Sequence, residues 1–168
     1  MQNKMDNRSA LTLAEMLIVL AITAILLAAV AVAFNASVIS YRENENAFKA
    51  INSARQALFR ITTQLRTAVA VDPNAASNEC SLITADGNED ITYRYNSADK
   101  KLYLITNDNP SDKDYVLCDN VIAITFTKNT FVRDAVVYVK SVQMSMTVQS
   151  GNLRKTLVAA AVVRKNLW

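Results

Sequence analysis

The first third of the chain contains one long apolar run with a single acid at its front edge. From Met16 to Phe34 every side chain is apolar except that of Thr23. A helix of this length is about right for one membrane crossing. Glu15 stands directly before the run, and an uncompensated carboxylate near lipid costs about 2.5 kcal/mol or more. The pattern therefore predicts a membrane helix whose acid needs a partner.

After Phe34 the pattern turns polar, with apolar positions at steps of three and four. These positions are Phe48, Ile51, Ala54, Leu58, Ile61, Leu65 and Ala68. Such spacing predicts one apolar helix face, and neither Pro nor Gly interrupts it before Pro73. We therefore expect a single helix from about Leu11 to about Val71, ended by Asp72 and Pro73.

Short runs of alternating polarity follow and predict strands. They cover residues 81–84, 91–95, 101–106, 115–118, 121–127, 136–150 and 153–163, and Gly151-Asn152 indicates a hairpin between the last two. In the run 136–150 one face carries Val142, Met144, Met146 and Val148. These residues are typical of a core, and the methionines fit core filling better than a cofactor site. We expect an α+β fold in which the amphipathic helix half covers one face of an antiparallel sheet.

Composition limits the chemistry that the chain can perform. Its 168 residues are 51% hydrophobic and 20% charged, and none is histidine, which leaves room for one anchor and one modest soluble domain. Without histidine the chain lacks the Ser-His-Asp triad, the commonest general base and the commonest zinc ligand. We expect no enzyme and no cofactor. The formal charge of +3 does not require a nucleic-acid partner.

Cys80 and Cys118 are the two cysteines of the chain. In an exported domain they would enter a compartment where disulfides persist, and a bridge closing this loop would contribute about 3 to 4 kcal/mol in the chain-entropy model. The alternative is two unpaired buried thiols that act as small hydrophobes. The sequence favours a disulfide between Cys80 and Cys118, but two unpaired thiols stay an open alternative.

The charges before the apolar run predict its orientation. Lys4 and Arg8 outnumber Asp6, and basic residues beside a span tend to stay in the cytoplasm, so the chain after about residue 36 should lie outside. A rival interpretation is a secretory signal peptide, because Ala-Val-Ala at 31–33 is a cleavage-like motif that predicts a mature start near Phe34. The length of the run and the acid at position 15 weigh against this rival.

The stretch SALTLAEMLIVLAITAILLAAV resembles the N-terminus of type IV pilins and type II secretion pseudopilins. The resemblance implies a leader cut between Ala10 and Leu11 and methylation of the new Leu11 amine. It also implies that Glu15 pairs with the Leu11 amine of a neighbouring subunit, or of its own chain, during filament assembly. Three departures exist, because the family's usual residues are Gly at position 10, Phe or Met at 11 and, in many major pilins, Pro at the place of Val32.

The alternative interpretation gives Glu15 no role in filament assembly. A carboxylate can favour a helix N-terminus or reach the lipid headgroups without any role in assembly.

The remainder of the chain resembles larger minor pseudopilins and minor pilins more loosely. The resemblance implies prepilin peptidase, other pilins, an inner-membrane platform and a cytoplasmic assembly ATPase as partners. It divides the chain into a leader (1–10), a membrane and assembly helix (11–35), an amphipathic helix half (36–72) and a periplasmic sheet domain (73–168). Localisation in the inner membrane, with the domain in the periplasm or on a filament, follows from the same resemblance.

The charged residues suggest two further kinds of site, a calcium site and a DNA-binding surface. For each, the alternative is an ordinary solvent-exposed surface. Acidic turns offer oxygens for calcium at Asp86, Asn88 and Asp90 and at Asp108, Asp112 and Asp114. Neither turn fits the EF-hand pattern, so we expect solvated turns and no metal site. A basic surface for DNA is not favoured, because acids are interspersed and no aromatic stacking motif is present among Arg94, Lys100, Lys101, Lys128, Arg133 and Lys140.

Overall fold

A computed structural model describes residues 12–87, 90–107 and 114–166. The chain forms two compact units, one up to Arg42 and one from Glu43 onward. A single helix, α1 (Leu13–Thr67), contributes to both. Together with antiparallel sheets it makes an α+β arrangement of the pilin-like kind, which confirms the predicted fold class.

The helix ends four residues before the predicted Val71. Residues Ala70–Val71 instead form strand β1, which pairs with the next strand. The backbone N–H of Val69 donates to the Ile83 carbonyl at 3.0 Å, and that of Asp72 donates to the Ser81 carbonyl at 3.0 Å. The prediction placed the end at Pro73, but strand pairing supplies these backbone groups with partners earlier in the chain.

The strands form two antiparallel sheets, whereas the sequence suggested one. Sheet A has the order β1-β2-β3-β4-β5 and contains β2 (Glu79–Ile83), β3 (Asp90–Asn96), β4 (Lys101–Thr106) and β5 (Tyr115–Cys118). Sheet B has the order β6-β7-β8 and contains β6 (Val121–Arg133), β7 (Val136–Ser150) and β8 (Leu153–Val162). A short 3-10 turn at Arg164–Asn166 follows. The chain leaves sheet A at Asn120, whose positive φ of 56° turns it into the second sheet.

Strand β6 is longer than its sequence pattern predicts. It runs to Arg133, beyond the alternating stretch that ends at 127, because β7 supplies a partner as far as Val136. Asp134 and Ala135 make the tight turn with φ of 52° and 63°, the left-handed conformation that two-residue hairpins need. The predicted hairpin between β7 and β8 is confirmed, with Ser150 paired to Leu153.

The core of the second unit lies between α1 and the two sheets. The inward face of β7 was predicted correctly, since Val142, Met144, Met146 and Val148 are all buried. On α1 the buried residues are Ala47, Ala50, Ala54, Ala57, Leu58, Ile61 and Leu65. Phe48 is 64% exposed, so its predicted place on the buried face was wrong. Alanines occupy much of the contact face, and small side chains let a helix approach its neighbours closely.

Candidate functional site

The first turn of α1 is closed by two residues that cap each other. The Glu15 Oε2 atom accepts hydrogen bonds from the Thr12 backbone N–H at 2.8 Å and from the Thr12 hydroxyl at 2.9 Å. The Glu15 backbone N–H donates to the Thr12 Oγ1 at 3.3 Å. This reciprocal pattern is a capping box, which satisfies backbone donors that a helix start otherwise leaves without partners. The T-x-x-E spacing at 12–15 was a sequence signal for it.

The capping box bears on the two interpretations of Glu15. The helix N-terminus role is present in the structure, because the acid binds the first turn of its own helix. The predicted pairing with the Leu11 amine stays a prediction, since the processing residues Ala10 and Leu11 lie outside the described residues. All the described hydrogen bonds to the side chain use Oε2, so Oε1 accepts none from a described residue.

No described residue of the first unit covers the apolar part of α1. Every side chain from Thr12 to Ser37 is exposed, including Leu13 at 80% and Phe34 at 71%. Among the described residues α1 is the one helix long and apolar enough to cross a membrane. Residues 13–34 would rise by about 33 Å at 1.5 Å per residue, which matches a hydrocarbon layer of about 30 Å. A continuous apolar surface of this size is consistent with a membrane anchor that lipid or other apolar side chains surround.

Between residues 13 and 34 the polar side chains are those of Glu15 and Thr23, and both have local hydrogen-bond partners. Glu15 carries the only charge between Leu11 and Tyr41 in the sequence. The Thr23 hydroxyl donates to the Val19 carbonyl at 2.7 Å, so it costs little in an apolar environment. Val32, at the place where many major pilins have Pro, lies inside α1 and keeps its backbone N–H available to the helix. Glu15 is therefore the one ionic feature that a surrounding apolar layer would have to accommodate.

The predicted pair of Cys80 and Cys118 is not present in the structure. Both cysteines are free and buried. Cys80 lies on β2 and Cys118 on β5, with β3 and β4 between them. Three strand spacings place the two residues about 14 Å apart, whereas a disulfide needs Cα atoms within about 7 Å. Sequence separation alone could not show that two strands intervene.

Burial keeps both thiols protonated. It raises the pKa of Cys80 to about 11, against a smaller lowering effect of the Lys128 charge. It likewise raises the pKa of Cys118 to about 11, and the Asp119 carboxylate adds to the effect. Because the thiolate is the reactive form, these are inert core residues.

Several of the acidic and basic residues considered for such sites have local partners among the described residues. Asp86 accepts a hydrogen bond from the Thr84 hydroxyl at 2.7 Å, while Asn88, Asp108 and Asp112 lie outside the described residues. No group of three potential metal ligands occurs in the described part of the chain. Arg94 pairs with Glu79 at 2.7 Å, and the Lys128 ammonium donates to two loop carbonyls.

Comparison with known families gives one finding. A family model described as a prokaryotic N-terminal methylation motif matches residues 5–31. The match covers the predicted cleavage site, the capping box and most of the exposed apolar run, and it confirms the resemblance seen in those residues. Comparisons with curated proteins and with solved structures find no match.

Proposed function

We propose that this chain, which carries a type IV pilin-like methylation motif, is a minor pilin or pseudopilin of a type IV pilus or type II secretion system. The observation that carries the proposal is the exposed apolar first part of α1, from Leu13 to Ser37, with one carboxylate in its first turn. A lipid layer can cover this surface before assembly, and the equivalent helices of other subunits can cover it afterwards. The same segment then serves as anchor and as assembly element.

Processing begins the proposed sequence of events. Prepilin peptidase cuts between Ala10 and Leu11 on the cytoplasmic side, and the apolar helix is kept in the mature protein. The new Leu11 amine, which becomes methylated, is a cation at neutral pH. In the sequence Leu11 directly precedes Thr12 and lies four positions before Glu15.

Assembly then joins this amine to Glu15. In an apolar helix bundle an unpaired carboxylate is costly, so pairing with an amine favours the packed state. The capping box uses Oε2, and Oε1 accepts no hydrogen bond from a described residue. A neighbouring subunit's amine can therefore bind Glu15 without breaking the helix cap. Capping and pairing are compatible roles of one side chain.

The remaining parts of the proposal concern location and partners. The basic leader keeps the N-terminus cytoplasmic, so the unit that begins at Glu43 lies in the periplasm or on a filament. An inner-membrane platform and other pilins are the partners, and the sheet domain contacts neighbouring subunits or exported cargo. The role is structural rather than enzymatic, as is general for proteins with this motif.

The mature N-terminus tests the proposal. The full-length chain is coexpressed with prepilin peptidase, and the membrane fraction is examined by intact mass and N-terminal sequencing. We expect a methylated start at Leu11 and retention in the membrane. An Ala10→Val variant, which places a branched side chain at the cut, should retain the leader. A soluble product that starts near Phe34 would instead show a secreted domain with a cleaved signal peptide.

A further inference from the structure

Strand β8 and the second half of α1 border a groove of about 300 Å³, here called the α1–β8 groove. On the strand side it is lined by Leu157, Val158 and Ala159. Among the described residues β8 pairs with β7 alone, so its other edge has no described strand beside it. An unpaired edge of this kind is where an extended peptide adds as a further strand.

The helix side of the groove is a straight stripe with a basic residue at each end. Arg55, Phe59, Thr62 and Arg66 belong to its lining. They follow one another at steps of four, three and four, which places them on one helix face. Phe59 is 76% exposed, and both arginines are exposed as well. The stripe thus offers an apolar contact between two positive charges.

The segments that border the groove contain no acids. From residue 46 to 71, which includes the helix side, the sequence has four basic and no acidic residues. From residue 135 to 168, which includes β8, it has five basic and no acidic residues. Neither Arg55 nor Arg66 takes part in the ion pairs found among the described residues. Charge complementarity therefore selects an acidic occupant and disfavours a basic one.

The two arginines also limit where the acids of an occupant can lie. Arg55 and Arg66 are eleven residues apart, which is about 16 to 17 Å along the helix axis. An extended chain covers about 13 Å over four residues and about 20 Å over six, and the long arginine side chains can bridge the difference. Both spacings are even, so the two acids point to the same face of the strand. In a strand added to β8 this face continues the inner face of sheet B, which α1 covers.

We propose that the α1–β8 groove binds an extended acidic segment of a partner protein, which adds to β8 as a fourth strand of sheet B. Two acids of the segment pair with Arg55 and Arg66, and an apolar residue between them contacts Phe59 and Leu157. A nucleic acid fits less well, because it has no main-chain amides that pair with a strand edge. The inference goes beyond the function proposed above, since it uses only residues of the unit that begins at Glu43.

A synthetic peptide of the sequence Thr-Glu-Thr-Val-Thr-Glu-Thr, labelled with an uncharged dye, tests the binding. Its glutamates and its valine lie on one strand face, and it reads the same in both directions, so the result does not depend on strand direction. We expect saturable binding to the full-length chain in a non-ionic detergent, measured by fluorescence anisotropy. The matched peptide with lysine in place of both glutamates should bind about tenfold less tightly or worse. Equal affinities of these two peptides would overturn the proposal.

Two further peptides test the strand geometry. Thr-Glu-Thr-Val-Glu-Thr-Thr has the same composition but carries its acids on opposite faces, so it should bind several-fold less tightly. A version of the first peptide that is N-methylated at every residue keeps both carboxylates but has no backbone donors, and its binding should be lost. Full affinity of the methylated peptide would leave attraction by charge alone and would overturn strand addition.

Charge reversal tests the two arginines. Arg55→Glu with Arg66→Glu should weaken binding of the glutamate peptide about tenfold and should bind the lysine peptide more tightly than the wild type does. This gain separates the loss of a charge pair from misfolding. The matched control, Lys140→Glu with Arg164→Glu, changes the net charge equally at exposed residues outside the groove lining and should leave the affinity nearly unchanged. Equal effects of the two double variants would reduce the binding to net charge and overturn the proposal.

Competition decides between a peptide and a nucleic acid. A single-stranded oligonucleotide should displace the glutamate peptide poorly. An oligonucleotide that binds more tightly than the peptide, and that loses its binding in the Arg55→Glu, Arg66→Glu variant, would assign the groove to nucleic acid instead. None of these measurements depends on cleavage before Leu11 or on filament assembly, so failure here is distinguishable from failure of the proposed function.

Discussion

Both described hydrogen bonds to the Glu15 carboxylate come from Thr12, and both end on the same oxygen, Oε2. Two roles thus meet in this side chain, the cap that the structure shows and the pairing with an amine that we propose. They need different properties of the residue. The cap needs a hydrogen-bond acceptor at the third helical position, which Glu or Gln can supply. The pairing needs a negative charge.

Substitution of Glu15 by Gln separates these roles. Glu15→Gln keeps an acceptor for the Thr12 donors, while Glu15→Val removes both the acceptor and the charge. We expect both variants to be cleaved normally and both to be incorporated into filaments far less than the wild type, because the amine then lacks its counter-charge. Immunoblots of sheared filaments and of the membrane fraction measure this. Normal incorporation of Glu15→Gln would limit the residue to helix capping.

Ile61 and Phe59 lie close together on α1, but we expect their replacement by alanine to lower the stability of the protein by very different amounts. Ile61 is 0% exposed and lies in the core, whereas Phe59 is 76% exposed. We expect Ile61→Ala to lower the free energy of unfolding by about 2 to 5 kcal/mol. Phe59→Ala should change it by about 0.5 kcal/mol or less. Urea unfolding followed by circular dichroism in micelles compares them, and similar losses would contradict the described helix face.

The two cysteines should behave as separate, protected thiols. We expect native protein to add almost no iodoacetamide at pH 7.5 and the denatured protein to add two equivalents, because burial holds both thiols in the protonated form. Intact mass spectrometry before and after denaturation without reductant measures this. Denatured protein that adds none until a reductant is supplied would show a disulfide and contradict the separation of β2 from β5.

Burial of the thiols also predicts a loss of stability at high pH. Burial raises the pKa of both from the usual 9.0 to about 11. Between pH 9 and 11 the folded chain keeps protons that the unfolded chain releases, so the free energy of unfolding falls as pH rises. Urea midpoints measured across this window should decline. The decline should be shallower in a Cys80→Ala, Cys118→Ala variant, and an equal slope would contradict the prediction.

A buried hydroxyl joins β3 to α1 and gives a further prediction. The Tyr93 hydroxyl donates to the Gln64 side-chain oxygen, and Tyr93 is fully buried. Tyr93→Phe should cost about 1 kcal/mol of stability, since it leaves the Gln64 oxygen without this donor. The control is Tyr103→Phe, whose hydroxyl donates to the exposed Asp99 and can be replaced by water. A larger loss in the control would contradict this ranking.

The local order of polar and apolar residues was sufficient to predict much of the fold. The strand Tyr115–Cys118 and the strand Val136–Ser150 have the predicted bounds, since alternation and flanking turn residues are properties of neighbouring positions. The extension of β6 to Arg133 was not predictable in this way. That stretch does not alternate, and it becomes a strand because β7 is beside it.

The candidate functional site was likewise predictable from the sequence only in part. Its methylation motif, its apolar run and the T-x-x-E spacing at Thr12 and Glu15 are contiguous in the chain, so the sequence alone could predict a cleavage site and an anchor. A groove between the second half of α1 and β8 was not visible there, because its lining residues Phe59 and Val158 are about a hundred positions apart in the chain and come together only through packing.

The sequence by itself determined a long helix with an apolar first part, a single acid at its front and an α+β second unit. Short-range periodicity and the hydrophobic effect dictate these features, since both act on adjacent residues whatever the distant partners are. Only the tertiary structure decided that the strands form two sheets, that Ala47 and Ala50 rather than Phe48 face the core, and that Cys80 and Cys118 stay apart. These features depend on which distant segments lie side by side, and strand order is set by packing between them.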